Sequence, residues 1–158
     1  MIVVKIKDGV ISHFAARAPE WFFAFALINV GEAMAGPGDT FSTSHSYDGM
    51  AAIATECVWG WSMIVLGVAR FAVLAVNGNI ECFRPFASGT RMMLSFLTAL
   101  VWFTIALGMV YANPIGTGAR AYGSLLIGEV YTTWVVSGEA AHAFWPWYRM
   151  RKLSDGRP

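Results

Sequence analysis

Charge is scarce in this chain. Charged residues make up 13% of its 158 positions and hydrophobic ones 56%, and the charges gather between long apolar runs, which removes the ordinary soluble class. Neither sign dominates, since 11 Lys and Arg against 10 Asp and Glu leave a net charge of +1. That balance, with no basic patch interleaved with aromatics, excludes nucleic acid as an expected partner. Cysteine is limited to Cys57 and Cys82. They sit near opposite ends of one long apolar stretch, and a disulfide needs Cα atoms within about 7 Å. Two thiols also fall short of a four-ligand site. Histidine is as rare: His13, His45 and His142. His13 and His142 both fall on the inner side, but His13 lies in the N-terminal lead rather than on a helix of the bundle, so bis-histidine haem ligation is poorly served. No Ser, Cys or Asp stands beside a histidine at equal depth. The expectation is therefore no enzyme and no cofactor.

What is present is apolar length. Four segments read as helices, at 14 or 19 to 35, 50–77, 91–112 and 119–148, and no strand pattern competes with them. The predicted class is all-α: a four-transmembrane-helix bundle in one integral domain. Pro19 suits a first helical turn. Gly36-Pro37-Gly38, Asn77-Gly78-Asn79 and Asn113-Pro114 with Gly116-Thr117-Gly118 supply the breaks. Ala33-Met34-Ala35 imitates a signal cleavage site, but Glu32 interrupts the preceding run, and the N-terminus is expected to be retained. With that end cytoplasmic, nine Lys or Arg residues fall on the inner side and Arg120 alone on the outer. This asymmetry predicts a multi-pass protein with both termini cytoplasmic, in a bacterial inner membrane. Within the third segment, the crossing from about Met92 to Tyr111 carries no charge.

The few ionisable groups inside these runs are the candidate functional residues, because a charge stranded in hydrocarbon needs a partner, water or a route to the headgroups. Counting Arg70 back from Asn77 and Glu139 back from Trp147 puts both about 10–12 Å from the inner ends. An Arg70–Glu139 intramembrane ion pair is expected on that depth. Glu129 falls near the midplane, with Thr104 or Ser62 as hydrogen-bond partners. Glu56, Glu129, Glu139 and His142 form a candidate polar or proton path. Glu139 and His142 make a single E-x-x-H pair, where a di-iron carboxylate site needs two such motifs and two more glutamates; no metal is expected. Glu32, near the end of the first helix, and Asp39 and Asp48, in the following loop without Lys or Arg, form an outer acidic cluster. Gly60 and Gly67 share a face, as do Ser95 and Ala99, and such small residues let backbones approach. The aromatic residues Trp59, Trp61, Trp102, Phe103 and Trp134 read as lipid-facing or packing positions.

The stretches ARFAVLAVNG (69–78), TRMMLSFLTALVWFTIALG (90–108) and NPIGTGARAYGSLLIGEVY (113–131) carry Arg70, Asn77, Gly78, Arg91, Trp102 and Gly108. In that order they resemble small four-helix membrane proteins of tailed phages and prophages, over the last two-thirds of the chain. The resemblance implies a phage origin and a non-enzymatic role; no activity comes with it. The expected function is an integral inner-membrane protein acting by helix association, in a homo-oligomer or with another membrane protein, in lysis, superinfection exclusion or a virion-related step. Its immediate partner is the lipid bilayer. A small proton or ion conduit is the first alternative and a membrane redox or metal-binding subunit the second.

Overall fold

The computed structural model describes Phe14, residues 17–76 and residues 84–154. The lead containing His13, the Asn77-Gly78 break and Cys82 lie outside these. Among the described residues the chain is all-α, with no strand. Its helices are α1 (Ala18–Ala35), α2 (Asp48–Ala51), α3 (Glu56–Val76), α4 (Arg84–Ala112) and α5 (Thr117–Ser154). Two are long and apolar enough to cross a membrane, over Glu56–Val76 and Phe86–Ala112.

Several boundaries differ from the sequence expectation, each for a local reason. The second helix does not start at Met50. Met50 belongs to the four-residue α2, whose carbonyls take the amides of Ala52, Ile53 and Ala54 before α3 begins at Glu56. The third helix starts at Arg84 rather than Arg91, so Arg91 lies two turns inside it instead of at its start. The fourth runs from Thr117 to Ser154, well beyond Trp147. Start and stop signals held where turn chemistry is strong. Pro19 opens α1, Gly36 closes it by donating to the Glu32 carbonyl at 3.0 Å, and Asn113 Oδ1 accepts the Ile115 amide at 3.2 Å in the turn between α4 and α5.

The long helices pack most closely in two pairs, α1 with α3 and α4 with α5. Glycine explains the first. A Cβ built on Gly60 would stand 2.5 Å from the Ala35 nitrogen and 2.8 Å from the Gly31 oxygen, and one on Gly67 would stand 2.8 Å from the Ala24 oxygen. Backbone therefore lies directly on backbone, as the shared face of Gly60 and Gly67 predicts. Between the pairs, Phe23 of α1 packs on Gly128 of α5, and a turn at His45–Tyr47 lays the Ser46 carbonyl on Gly108 of α4. At that end the core is apolar: Leu27, Met34, Tyr47, Met50, Met63, Trp102 and Ile105.

Glu56 ties the connecting loop to this end. Its carboxylate accepts the Thr40 amide at 2.8 Å and the Phe41 amide at 3.1 Å, and Phe41 stacks on Tyr47 with centroids 5.5 Å apart. Its own burial, followed by the neighbouring Tyr122 phenol, pushes the Tyr47 phenol up to about 12. Glu56→Ala is expected to leave the helices intact while amide exchange at Thr40 and Phe41 rises about tenfold, the loss of roughly 1.4 kcal/mol of charge-assisted bonding. Hydrogen-exchange mass spectrometry over 39–47 reads it.

Candidate functional site

The polar groups of this protein are inside and many of its large apolar ones outside. Glu20, Arg70, Ser88, Arg91, Ser95, Thr98, Glu129 and Thr132 are buried, whereas Phe22, Phe25, Trp61, Val65, Met93, Phe103, Ile127 and Trp134 are exposed. Helical spacing places the buried set. On α4 the stripe Arg91, Ser95, Thr98, Trp102 and Ile105 repeats every three or four residues and turns one face to the interior. On α5 the corresponding face carries Glu129, Thr132, Val136 and Ala140; on α3 it carries Met63, Gly67, Arg70 and Leu74; on α1, Glu20, Phe23, Ala24, Leu27 and Met34.

Two layers of charge result. In one, Arg70 of α3 donates through Nη1 to Glu129 Oε1 at 2.8 Å and through Nη2 to Ser95 Oγ at 3.2 Å. Arg70 and Glu129 side chains are 3% and 0% exposed. In the other, Arg91 of α4 grips Glu20 of α1 with one edge of its guanidinium, Nε to Oε2 at 3.0 Å and Nη2 to Oε1. Its remaining Nη1 donates to Glu139 Oε2 of α5 at 2.8 Å. Glu20 and Arg91 are buried, while Glu139 is half-exposed. Bidentate geometry makes the Arg91–Glu20 contact the stronger kind of charge-assisted bond. Among the described residues, two buried side-chain polar atoms make no hydrogen bond: Glu129 Oε2 and Trp102 Nε1.

No family model, curated protein or solved structure matches the chain.

The expected Arg70–Glu139 pair is therefore corrected: Arg70 pairs with Glu129, and Glu139 with Arg91. Asn77 and Trp147 are not equivalent origins for depth, since α5 runs on to Ser154. The tight turn at Asn113–Gly116 is a better origin, and from it Arg91 and Glu139 both lie about 30 Å down their helices, Glu129 about 18 Å. Glu129 does not bond to Thr104 or Ser62, whose hydroxyls donate to the Leu100 and Val58 carbonyls of their own helices. Glu20 is absent from the sequence expectation, which takes Ser95 only as a small packing residue and Arg91 only as an inner-side charge. Their signal was there in the helical period: each falls on the same stripe as the core residues of its helix.

The other candidates separate. Glu56 is held by its loop at the Tyr47 end and does not join Glu129, because Leu27, Met34, Met63, Trp102 and Ile105 fill that half of the core. His142 is exposed beside the half-exposed Glu139. Glu32 and Asp39 are exposed, Asp39 accepting the Ser42 amide, and Asp48 meets only His45, at 3.3 Å between exposed side chains. They form no shared site. Among the described residues no group of three or more His, Cys, Asp and Glu is placed to hold a metal. Cys57 is an exposed free thiol. Of the aromatic set, Trp102 is fully buried, Trp61, Phe103 and Trp134 are exposed, and Trp59 donates its indole N–H to the Met50 carbonyl at 3.0 Å.

Proposed function

We propose that this chain is a non-enzymatic, multi-pass integral protein of a bacterial inner membrane, a bundle of four crossings formed by α1, α3, α4 and α5 with both termini cytoplasmic. The carrying observation is the placement of charge: two arginine–glutamate pairs are buried in the interior while aromatic and branched apolar side chains cover much of the outside. Lipid is the solvent that such a surface suits, and buried charge must then be paired. The charge asymmetry agrees. With Arg91 and Arg70 counted as core residues, eight Lys or Arg residues remain toward the cytoplasmic side and Arg120 stands alone on the other.

In this reading the ion pairs set helix rotation and register, and the protein acts through its lipid-facing sides, by association with itself or another membrane protein. Its likeness to phage and prophage proteins makes lysis, superinfection exclusion or a virion-related step the process we assign it to. A conduit is the second reading, favoured by the polar groups of the Glu139 half; against it stands the apolar fill of the other half.

Topology decides the membrane reading. In a variant with both cysteines replaced by serine, Ser42→Cys in the exposed loop is expected to react with an impermeant maleimide added outside intact spheroplasts. Reaction only after the membrane is opened overturns the orientation, and recovery of the protein in the soluble fraction overturns the whole reading. Expression that permeabilises cells supports the lysis role; harmless expression with resistance to phage supports exclusion.

A further inference from the structure

Both buried contacts that cross from one close-packed helix pair to the other through charge are arginine–glutamate bonds. Arg70 of α3 reaches Glu129 and Ser95, and Glu20 of α1 is gripped by Arg91. Apolar packing crosses the same joint in one half, where Leu27, Met34 and Met63 meet Trp102 and Ile105. An open apolar cleft of about 670 Å³ separates α3 from α4, lined among others by Trp61, Val65, Ala69, Leu97 and Val101. The two charged latches are not equivalent. Both Glu20 oxygens are occupied by Arg91. Glu129 offers only Oε1 to Arg70, and its Oε2, fully buried, has no hydrogen-bond partner.

We propose that Glu129 Oε2 is a proton-binding site, and that a proton taken up there releases Arg70 and opens the seam between α3 and α4. The proposal rests on the membrane reading above. A proton from water forms an O–H bond on Oε2, the carboxylate loses its charge, and Arg70 keeps only the neutral Ser95 hydroxyl. A guanidinium without a counter-charge in that layer is strongly unfavourable. The other charged groups facing the site offer no replacement: Glu20 on α1 is taken by Arg91 on α4, and Glu139 lies about 15 Å further along α5. Arg70 has an exit instead, since α3 ends at Val76, about 9 Å on, and a long stem lets the head reach toward the membrane surface. Turning Arg70 outward moves α3 against α4 and widens the cleft already between them. Access is one-sided. Thr132, one turn from Glu129, and Glu20, Tyr131 and Glu139 line a small cleft of about 150 Å³ at one end, while Leu27, Met63, Trp102 and Ile105 close the other.

The test is a pulsed electron-spin distance measurement in lipid nanodiscs between labels at Val65→Cys and Leu97→Cys, with both native cysteines replaced by serine. The expected result is a short distance at neutral pH that lengthens on acidification with a one-proton profile. Glu129→Gln is expected to hold the long distance at every pH. The double variant Arg70→Gln/Glu129→Gln, which strands no charge, is expected to hold the short one. A Glu129→Gln distance that matches the parent and still responds to pH overturns the proposal. Should that variant not fold, infrared spectra of the parent with labelled glutamate replace it. A high-frequency carboxyl band, set apart from that of water-exposed Glu32 and Glu139 by its lack of hydrogen bonding, that grows on acidification supports the site, and its absence overturns it. Labelling at Ser42→Cys is independent of all these readings, so failure of the membrane assignment and failure of the proton site are told apart.

Discussion

Arg91→Met is expected to lower the unfolding free energy in a membrane mimic by about 3–5 kcal/mol, the range for breaking a buried ion pair from one side. Arg91 holds three acceptor oxygens on two helices, and both Glu20 oxygens depend on it. Methionine keeps most of the volume and none of the donors, so Glu20 is left ionised at 4% exposure or must take a proton. The companion variant separates stranded charge from lost attraction. Arg91→Met with Glu20→Gln removes the pair together and is expected to recover more than half of the loss. Glu139→Gln alone is expected to have a small effect, about 1 kcal/mol or less, because a half-exposed partner is screened. Equilibrium unfolding followed by helical circular dichroism gives all three numbers. Equal losses in the single and double variants would show that the layer contributes nothing through charge pairing.

Helix content and the breaks were legible in the sequence because they rest on local chemistry: Pro19 at a first turn, Gly36 at a helix end, Asn113 folding its side chain onto a following amide. The face carrying Gly60 and Gly67 was legible for the same kind of reason, since seven residues return a helix to nearly the same side. Pairing was harder. Glu129 and Glu139 lie on one helix about 15 Å apart, and choosing between them as the partner of Arg70 requires the offset between α3 and α5, which backbone contacts between Gly60, Gly67 and α1 help to set. Arg91 was hidden by a boundary. Placed in a basic loop it reads as an orientation signal; once α4 begins at Arg84, it falls in phase with Ser95, Thr98 and Trp102 and turns inward. Glu56 shows the converse case. Its depth suited a polar path, but the two amides of Thr40 and Phe41 that claim its oxygens come from a loop whose course no helical period describes.

Gly60→Ala is expected to be among the most damaging single-methyl additions in the chain, destabilising by about 3 kcal/mol, the upper part of the range for overpacking. The new carbon would stand 2.5 Å from the Ala35 nitrogen, 2.8 Å from the Gly31 oxygen and 2.9 Å from the Ala35 Cα. All three are backbone atoms, so no rotamer change relieves them and α1 must move off α3. In lipid that loss is felt directly, because close van der Waals approach rather than a hydrophobic force holds such helices together. Gly123→Ala and Gly138→Ala are the controls: a Cβ at either meets nothing within 4 Å. Helix propensity alone then favours alanine by up to about 1 kcal/mol. The comparison also reaches the charged layers. Arg70 and Glu20 are carried by the two helices that Gly60 holds in register, so displacing one helix loosens both latches at once. Gly60→Ala combined with Arg91→Met is accordingly expected to destabilise by less than the sum of the two, whereas Gly123→Ala combined with Arg91→Met should add, because Gly123 takes no part in that contact. Additivity in the first pair would mean that the glycine contact and the Arg91 layer are held independently.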